Sequence, residues 1–108
     1  MDRFHRVPFL FHKPMKNITL TSCLKHRERI LKQEAAATVV LLELDGGHYY
    51  ALDGAGGRAW ELCDGHRMVS EISRLIGDEY DASAENIAHD LLELFTELAN
   101  ENLVDVIA

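Results

Sequence analysis

The sequence has few cysteines and prolines, two of each in 108 residues, and it has no long apolar run. No stretch approaches the roughly 20 apolar residues that a membrane-crossing helix requires. The short apolar segment at residues 7–11 runs into His12 and Lys13, which does not fit a secretory signal. We therefore expect a cytoplasmic protein in which Cys23 and Cys63 are free thiols rather than a disulfide.

Basic residues are also scarce, and most of them lie near the start of the chain. The formal net charge is −7, but residues 1–35 carry eight Lys/Arg against three Asp/Glu, whereas residues 36–108 carry three against fifteen. The basic part is either a solvated tail or a contact for a partner protein, an acidic segment or the domain's own acidic surface. We predict a partly flexible basic extension over residues 1–27 and one domain over 28–108.

Residues 38–53, TVVLLELDGGHYYALD, predict a β-hairpin with a two-residue loop at Asp45-Gly46 or Gly46-Gly47. Both loop placements divide the side chains into the same two faces. The face that is wholly apolar, which we predict to be the core side, contains Val40, Leu42, Leu44, Tyr49 and Ala51. The other face contains Val39, Leu41, Glu43, Tyr50 and Leu52. Because both faces are too apolar for water, we expect function at a missing cover or at a missing strand.

Three helices are predicted after the hairpin. The first has Asp53 as its N-cap and ends near Gly65, and the second covers residues 68–80. The third begins after Ser83 and ends near Asn102, which can adopt a left-handed conformation. Residues 25–33 form either a short first strand or a helical turn, and the strand fits better. Residues 103–107 form a short extended segment. The expected class is α+β and winged-helix-like, with a small three-stranded antiparallel sheet packed on three helices.

The sequence offers little for catalysis, and its carboxylates lie singly or along a helical stripe, so we expect no enzyme. Cys23, His26, Cys63 and His66 form two C-x-x-H pairs that could make a tetrahedral zinc site. The separation of 40 residues between the two pairs is atypical of compact zinc modules. We therefore expect no metal and no cofactor, and zinc stays an alternative that metal analysis would test.

Two binding functions remain. A winged-helix DNA-binding regulator is the alternative, but the third predicted helix has no Lys or Arg and at least five acidic residues, which repel a duplex. Binding of an extended peptide at an open strand edge agrees better with the pattern. Tyr49 and Tyr50 lie on opposite faces of the outgoing strand, so either one can form the floor of a pocket, or both can be ordinary strand residues.

An ordered series of residues resembles the PqqD-like family. It starts with VLLELDGGHYYALD at residues 40–53, continues with Gly56, Trp60 and Cys63-Asp64-Gly65, and covers roughly residues 28–106. The whole series reads YYxLD…G…W…DG…EI…L…Y…D…L…L…LV. Members of this family are recognition elements for ribosomally synthesised and post-translationally modified peptides (RiPPs). The Tyr-Tyr-Ala-Leu segment with Gly56 and Trp60 is most similar to the stand-alone elements of lasso-peptide pathways.

The resemblance implies non-catalytic binding, in which the domain acts as a peptide chaperone. The leader of a precursor peptide would add as a strand beside residues 48–53, in a cleft against a third helix at residues 84–101. The domain would present the leader to a modifying enzyme, either a leader peptidase with a cyclase or a radical S-adenosylmethionine (SAM) enzyme. No nucleic acid and no membrane are expected as partners. An exposed strand edge also allows a homodimer when no peptide is bound.

The predicted peptide-binding residues lie on one strand and one helix. The strand residues, whose backbone should supply most of the affinity, are His48, Tyr49, Tyr50, Ala51, Leu52 and Asp53. The predicted apolar contacts are Tyr49, Ala51, Ile87, Leu91 and Phe95. Glu85, His89 and Glu93 form a stripe that either pairs with basic leader residues or is simply solvated.

Overall fold

The structure is a computed structural model that describes residues 18–108. The elements of this part of the chain are β1 (Cys23–His26), β2 (Ile30–Ala35), β3 (Thr38–Glu43), β4 (His48–Asp53), α1 (Gly54–Glu61), β5 (Asp64–Met68), α2 (Val69–Glu79), α3 (Ala84–Asn100) and β6 (Val104–Val106). None of the three helices combines the length and apolar composition that a membrane crossing requires. The α+β class with three helices is confirmed.

The strands form two small antiparallel sheets rather than the single sheet predicted. The hairpin sheet has the order β2-β3-β4, and the terminal sheet has the order β5-β1-β6. In the terminal sheet β1 pairs with the last strand of the chain, and its Leu24 is completely buried. Residues 1–17 of the predicted extension lie outside the described residues. The division at residue 28 stays a prediction, although β1 is part of the folded body.

The hairpin loop is longer than predicted. Glu43 pairs with His48, so the loop contains the four residues 44–47, and the two-residue loop was wrong. The register is nevertheless the one that the Asp45-Gly46 placement gives. The Glu43 carboxylate accepts hydrogen bonds from the N–H groups of Asp45 (3.2 Å) and Gly46 (2.5 Å), and Gly47 has a φ of 74°. The loop therefore closes through a side chain as well as through a left-handed glycine.

The predicted core side of the hairpin was wrong, because the opposite face is buried. Leu41 and Leu52 are 0% and 1% exposed, whereas Tyr49 is 69% exposed. Glu43 explains the error: it interrupts the apolar pattern of the buried face, but it lies at the end of β3, where its carboxylate is used by the loop. The former core candidates Val40, Leu42, Leu44, Tyr49 and Ala51 therefore lie on the outer side, half-buried or exposed.

Two segments differ from the prediction because local turns interrupt them. Residues 25–33 are not one strand: β1 ends at His26, and β2 begins at Ile30 after Arg29, which has a φ of 64°. The Asp64-Gly65 pair does not end a helix but begins β5, since α1 already ends at Glu61. The sequence of β5, DGHRM, has no apolar alternation, so no periodicity marks this strand.

The starts of α1 and α3 and the end of α3 follow their predicted caps. Asp53 Oδ1 accepts a hydrogen bond from the Gly56 N–H (2.6 Å) at the start of α1, and Ser83 Oγ accepts one from the Asn86 N–H at the start of α3 (3.4 Å). Asn102, with a φ of 62°, follows α3 in the left-handed conformation. α1 therefore begins directly after β4, and the buried residues of α3 belong to the same core as those of the hairpin sheet.

Candidate functional site: the open edge of β4

The outer edge of β4 is unpaired within residues 18–108, since β4 pairs only with β3. The Leu44 N–H donates to the Arg29 carbonyl (3.0 Å), which makes these two residues a hydrogen-bonded pair of the hairpin sheet. Bonded and non-bonded pairs alternate along antiparallel ladders, so β3 residues 40 and 42 bond to β2, and residues 39, 41 and 43 bond to β4. The backbone groups of Tyr49 and Ala51 therefore point away from the sheet.

The side chains of β4 alternate as strictly as its backbone. Tyr50 and Leu52 point into the core and are 8% and 1% exposed. His48, Tyr49, Ala51 and Asp53 are exposed. The Asp53 carboxylate already caps α1. The main group that Asp53 can offer a ligand is therefore its outward-pointing backbone N–H. A strand that added to this edge would find free backbone groups and the exposed aromatic ring of Tyr49.

Tyr50 ties β4 to the end of α3. Its hydroxyl donates a hydrogen bond of 2.6 Å to Glu101 Oε2. Burial, and then the hydrogen bond to Glu101, raise the pKa of Tyr50 well above its ordinary value, so the hydroxyl keeps its proton and remains the donor. Glu101 is the residue that directly follows α3, and no spacing rule predicts a contact across 51 residues.

The predicted residues of α3 divide into a surface set and a core set. Glu85, His89 and Glu93 are exposed, and the His89 ring lies 3.8 Å from a carboxylate oxygen of Asp90. Ile87 is partly buried and packs against the core. The structure buries two further candidates, Leu91 at 4% and Phe95 at 0% exposure. In this conformation Ile87 is thus the accessible apolar candidate on α3, and Phe95 supports the helix from inside.

Two of the four residues of the alternative zinc site, His26 and Cys63, have other side-chain contacts. The His26 ring lies 4.7 Å from the Trp60 ring, and Cys63 Sγ donates to the Ala59 carbonyl (3.4 Å). Burial, with a smaller contribution from Asp64, raises the pKa of Cys63 to about 12. Among residues 18–108, no group of three His, Cys, Asp or Glu residues is placed to hold a metal ion. The geometry therefore gives the zinc alternative no support.

Solved structures that share this fold include the following three. The first, described as TbiB1 in complex with the TbiA(beta) leader peptide, is 31% identical with a TM-score of 0.64; the match covers 75% of this chain and 94% of that one. The second is the PqqD truncation of Methylobacterium extorquens PqqCD, described as a stand-alone RiPP recognition element (22% identity, TM-score 0.70, 82% and 94% covered). The third is lasso peptide synthetase B1 complexed with the leader peptide (17% identity, TM-score 0.64, 76% and 96% covered).

The fold is therefore that of the RiPP recognition elements. The family described as coenzyme PQQ synthesis protein D (PqqD) matches residues 38–104, which include the whole of β3, β4 and all three helices. The chain belongs to the PqqD family, which confirms the family resemblance. A search of curated protein sequences gives no significant match.

Proposed function

We propose that this protein binds the leader region of a ribosomally synthesised precursor peptide, without catalysis, by accepting it as a strand along the open edge of β4. The observation that carries the proposal is the unpaired edge itself, at which Tyr49 and Ala51 present their backbone groups outward. A TbiB1 structure, 31% identical to this chain, contains a leader peptide, which supports the same class of ligand here. The comparisons give no support to the alternative of a DNA-binding regulator.

The accessible side chains of β4 and α3 suit an amphipathic peptide. Exposed Tyr49 and partly buried Ile87 offer apolar surface on the strand and the helix. Glu85 and Glu93 are exposed on α3, which has no Lys or Arg, so its surface favours basic leader residues. Salt should weaken such pairs, and a leader affinity that does not change with ionic strength would show that the stripe is only solvated.

The partners follow from the same proposal. A domain that binds only the leader would leave the rest of the precursor accessible to a modifying enzyme. A leader peptidase acting with a cyclase is the favoured partner, since two of the three solved structures are leader-peptide complexes, one of them a lasso peptide synthetase. A radical SAM enzyme is the second choice. The free thiols Cys23 and Cys63 are consistent with action in the cytoplasm.

Hydrogen exchange at single amides tests the proposal directly. The ligand is a synthetic peptide with the sequence of the TbiA(beta) leader, which the 31% identical TbiB1 binds. Without peptide, the Tyr50 and Leu52 amides should exchange slowly, because they bond to β3, and the Tyr49 and Ala51 amides should exchange fast. Saturating peptide should protect Tyr49 and Ala51. Binding that leaves both of these amides unprotected would rule out strand addition at β4.

A further inference from the structure

The hairpin sheet has a second open edge on its far side, along β2. Within residues 18–108, β2 pairs only with β3. The bond between the Leu44 N–H and the Arg29 carbonyl fixes the alternation here too, so β2 residues 31, 33 and 35 bond to β3. The backbone groups of Ile30, Lys32 and Glu34 point away from the sheet. This edge is therefore able to accept a strand, and it is the edge opposite to β4.

We propose that the β2 edge joins two copies of this chain in an antiparallel strand pair centred on Gln33. In an antiparallel pair, outward-pointing residues of one strand face outward-pointing residues of the other. Centring on Gln33 places Lys32 opposite the partner's Glu34. Two-fold symmetry repeats this pair, so two opposite-charge pairs flank the axis. The second copy thereby completes the edge with complementary charge.

The two neighbouring registers are unfavourable. Centring the pair on residue 32 places Lys32 of one copy opposite Lys32 of the other. Centring it on residue 34 places the two Glu34 side chains opposite each other. Like charges directly opposite each other on adjacent strands are destabilising, whereas opposite charges are favourable. Among the registers of β2, ILKQEA, only the one centred on Gln33 places Lys32 directly opposite Glu34. A strand that is complementary to itself in a single register favours a second copy over an unrelated chain.

The contacts that Lys32 makes within one copy are compatible with the proposed pair. Its Nζ lies 3.0 Å from Glu34 Oε2 and also bonds to Glu61, so the side chain is held in place on the strand. Glu34 is exposed, at 66% of its side chain, and can accept a second cation. In the proposed pair, each Lys32 lies between its own Glu34 and that of the other copy, and the four charges alternate in sign.

The opposite face of the pair is compatible with close contact. Leu31 is 47% exposed and would face the partner's Ala35. Ala35 is small enough to leave room for the Leu31 side chain. Six residues on each side form a small interface, so we expect a weak dimer rather than an obligate one. The β4 edges stay at the two outer ends of a six-stranded sheet, so dimerisation and leader binding do not compete. The inference therefore does not depend on the proposed function.

Sedimentation equilibrium of the full chain tests the proposal. The apparent mass should rise from 12.2 kDa toward twice that value as the concentration increases into the high micromolar range. Glu34→Lys and Lys32→Glu should each weaken the dimer by about tenfold or more, because they replace two attractive pairs with two repulsive ones. An equimolar mixture of the two variants should form heterodimers, since opposite charges then face each other at both positions. Circular dichroism would check that each variant is folded.

The controls separate this edge from the others. Glu85→Lys makes the same change in net charge on α3 and should leave the dimer unchanged. Glu34→Pro removes an outward N–H of β2 without removing a bond to β3, and it should abolish the dimer. A wild-type chain that stays monomeric at millimolar concentration overturns the proposal. So does a failure of the mixed variants to associate, or a dimer that dissociates when leader peptide fills the β4 edge.

Discussion

The hydroxyl of Tyr50 lies 2.6 Å from Glu101 Oε2 and joins the strand with the open edge to the end of the longest helix. Its neighbour Tyr49 is 69% exposed and makes no such contact within the described residues. The two adjacent tyrosines therefore have different roles: Tyr50 positions β4 against α3, and Tyr49 remains available on the surface. Substitutions at these two neighbouring tyrosines can therefore be compared directly.

Replacing Tyr50 by Phe should destabilise the protein by about 1–2 kcal/mol, because Glu101 loses a donor beside the core. Replacing Tyr49 by Phe should change the free energy of unfolding by less than about 0.5 kcal/mol, since that side chain is exposed. Urea denaturation of both variants measures the difference. Equal stabilities of the two variants would mean that the hydrogen bond to Glu101 contributes nothing.

Replacing Gly57 by Ala should destabilise the fold by about 1–3 kcal/mol, because the added methyl group overpacks the contact between α1 and β3. A Cβ at position 57 would lie 2.4 Å from Val39 Cγ2. Gly54 is the control, since a Cβ there would have no heavy atom closer than 3.8 Å, and Gly54→Ala should be neutral or slightly stabilising. Val39→Ala should partly rescue Gly57→Ala, and an additive double variant would contradict the proposed clash.

Replacing Ala51 by Pro should lower the affinity for the leader peptide at least about tenfold, because it removes an outward N–H and crowds the edge of β4. No bond to β3 is lost, so the variant should remain folded. Glu34→Pro is the matched control, as it makes the same change at the β2 edge and should bind the leader normally. Isothermal calorimetry measures both affinities, and an unchanged value for Ala51→Pro would disprove pairing at this residue.

The Cys63 thiol should be unreactive in the native protein, because it is 0% exposed and its pKa is raised to about 12. A thiol reagent at pH 8 should modify Cys63 only after denaturation, whereas Cys23 is half-buried and should react first. Cys23→Ser isolates the Cys63 signal. Fast native labelling of this single thiol would show that the core around α1 opens readily.

Because the Cys63 thiol is buried, the free energy of unfolding should depend on pH in the alkaline range. The unfolded thiol ionises near pH 8.5, while the folded thiol stays neutral, so the unfolded state binds fewer protons above that pH and stability is lost as pH rises. Between pH 7.5 and pH 10 the wild type should lose about 2 kcal/mol more than Cys63→Ala. Denaturation at both pH values measures this difference, and identical losses in the two proteins would contradict it.

The local structure of this chain could be predicted because short-range chemistry decides it. Asp53 and Ser83 cap their helices, Asn102 ends α3 in a left-handed conformation, and the observed hairpin register is one of the two that the glycines allow. The ordered residues of the hairpin and helices were also enough to recognise the family. The caps and turns depend on a residue and its neighbours within a few positions, so they can be predicted from a single sequence.

Only the tertiary structure decided which face of the hairpin is buried, and hence which of two tyrosines is exposed. Both faces were apolar, and the choice depends on Gly57 packing against Val39 and on the bond between Tyr50 and Glu101, which are distant in sequence. The terminal sheet could not be predicted for the same reason, because β1, β5 and β6 come from three separate parts of the chain. Local periodicity carries no information about such contacts, since they form only when the whole core is assembled.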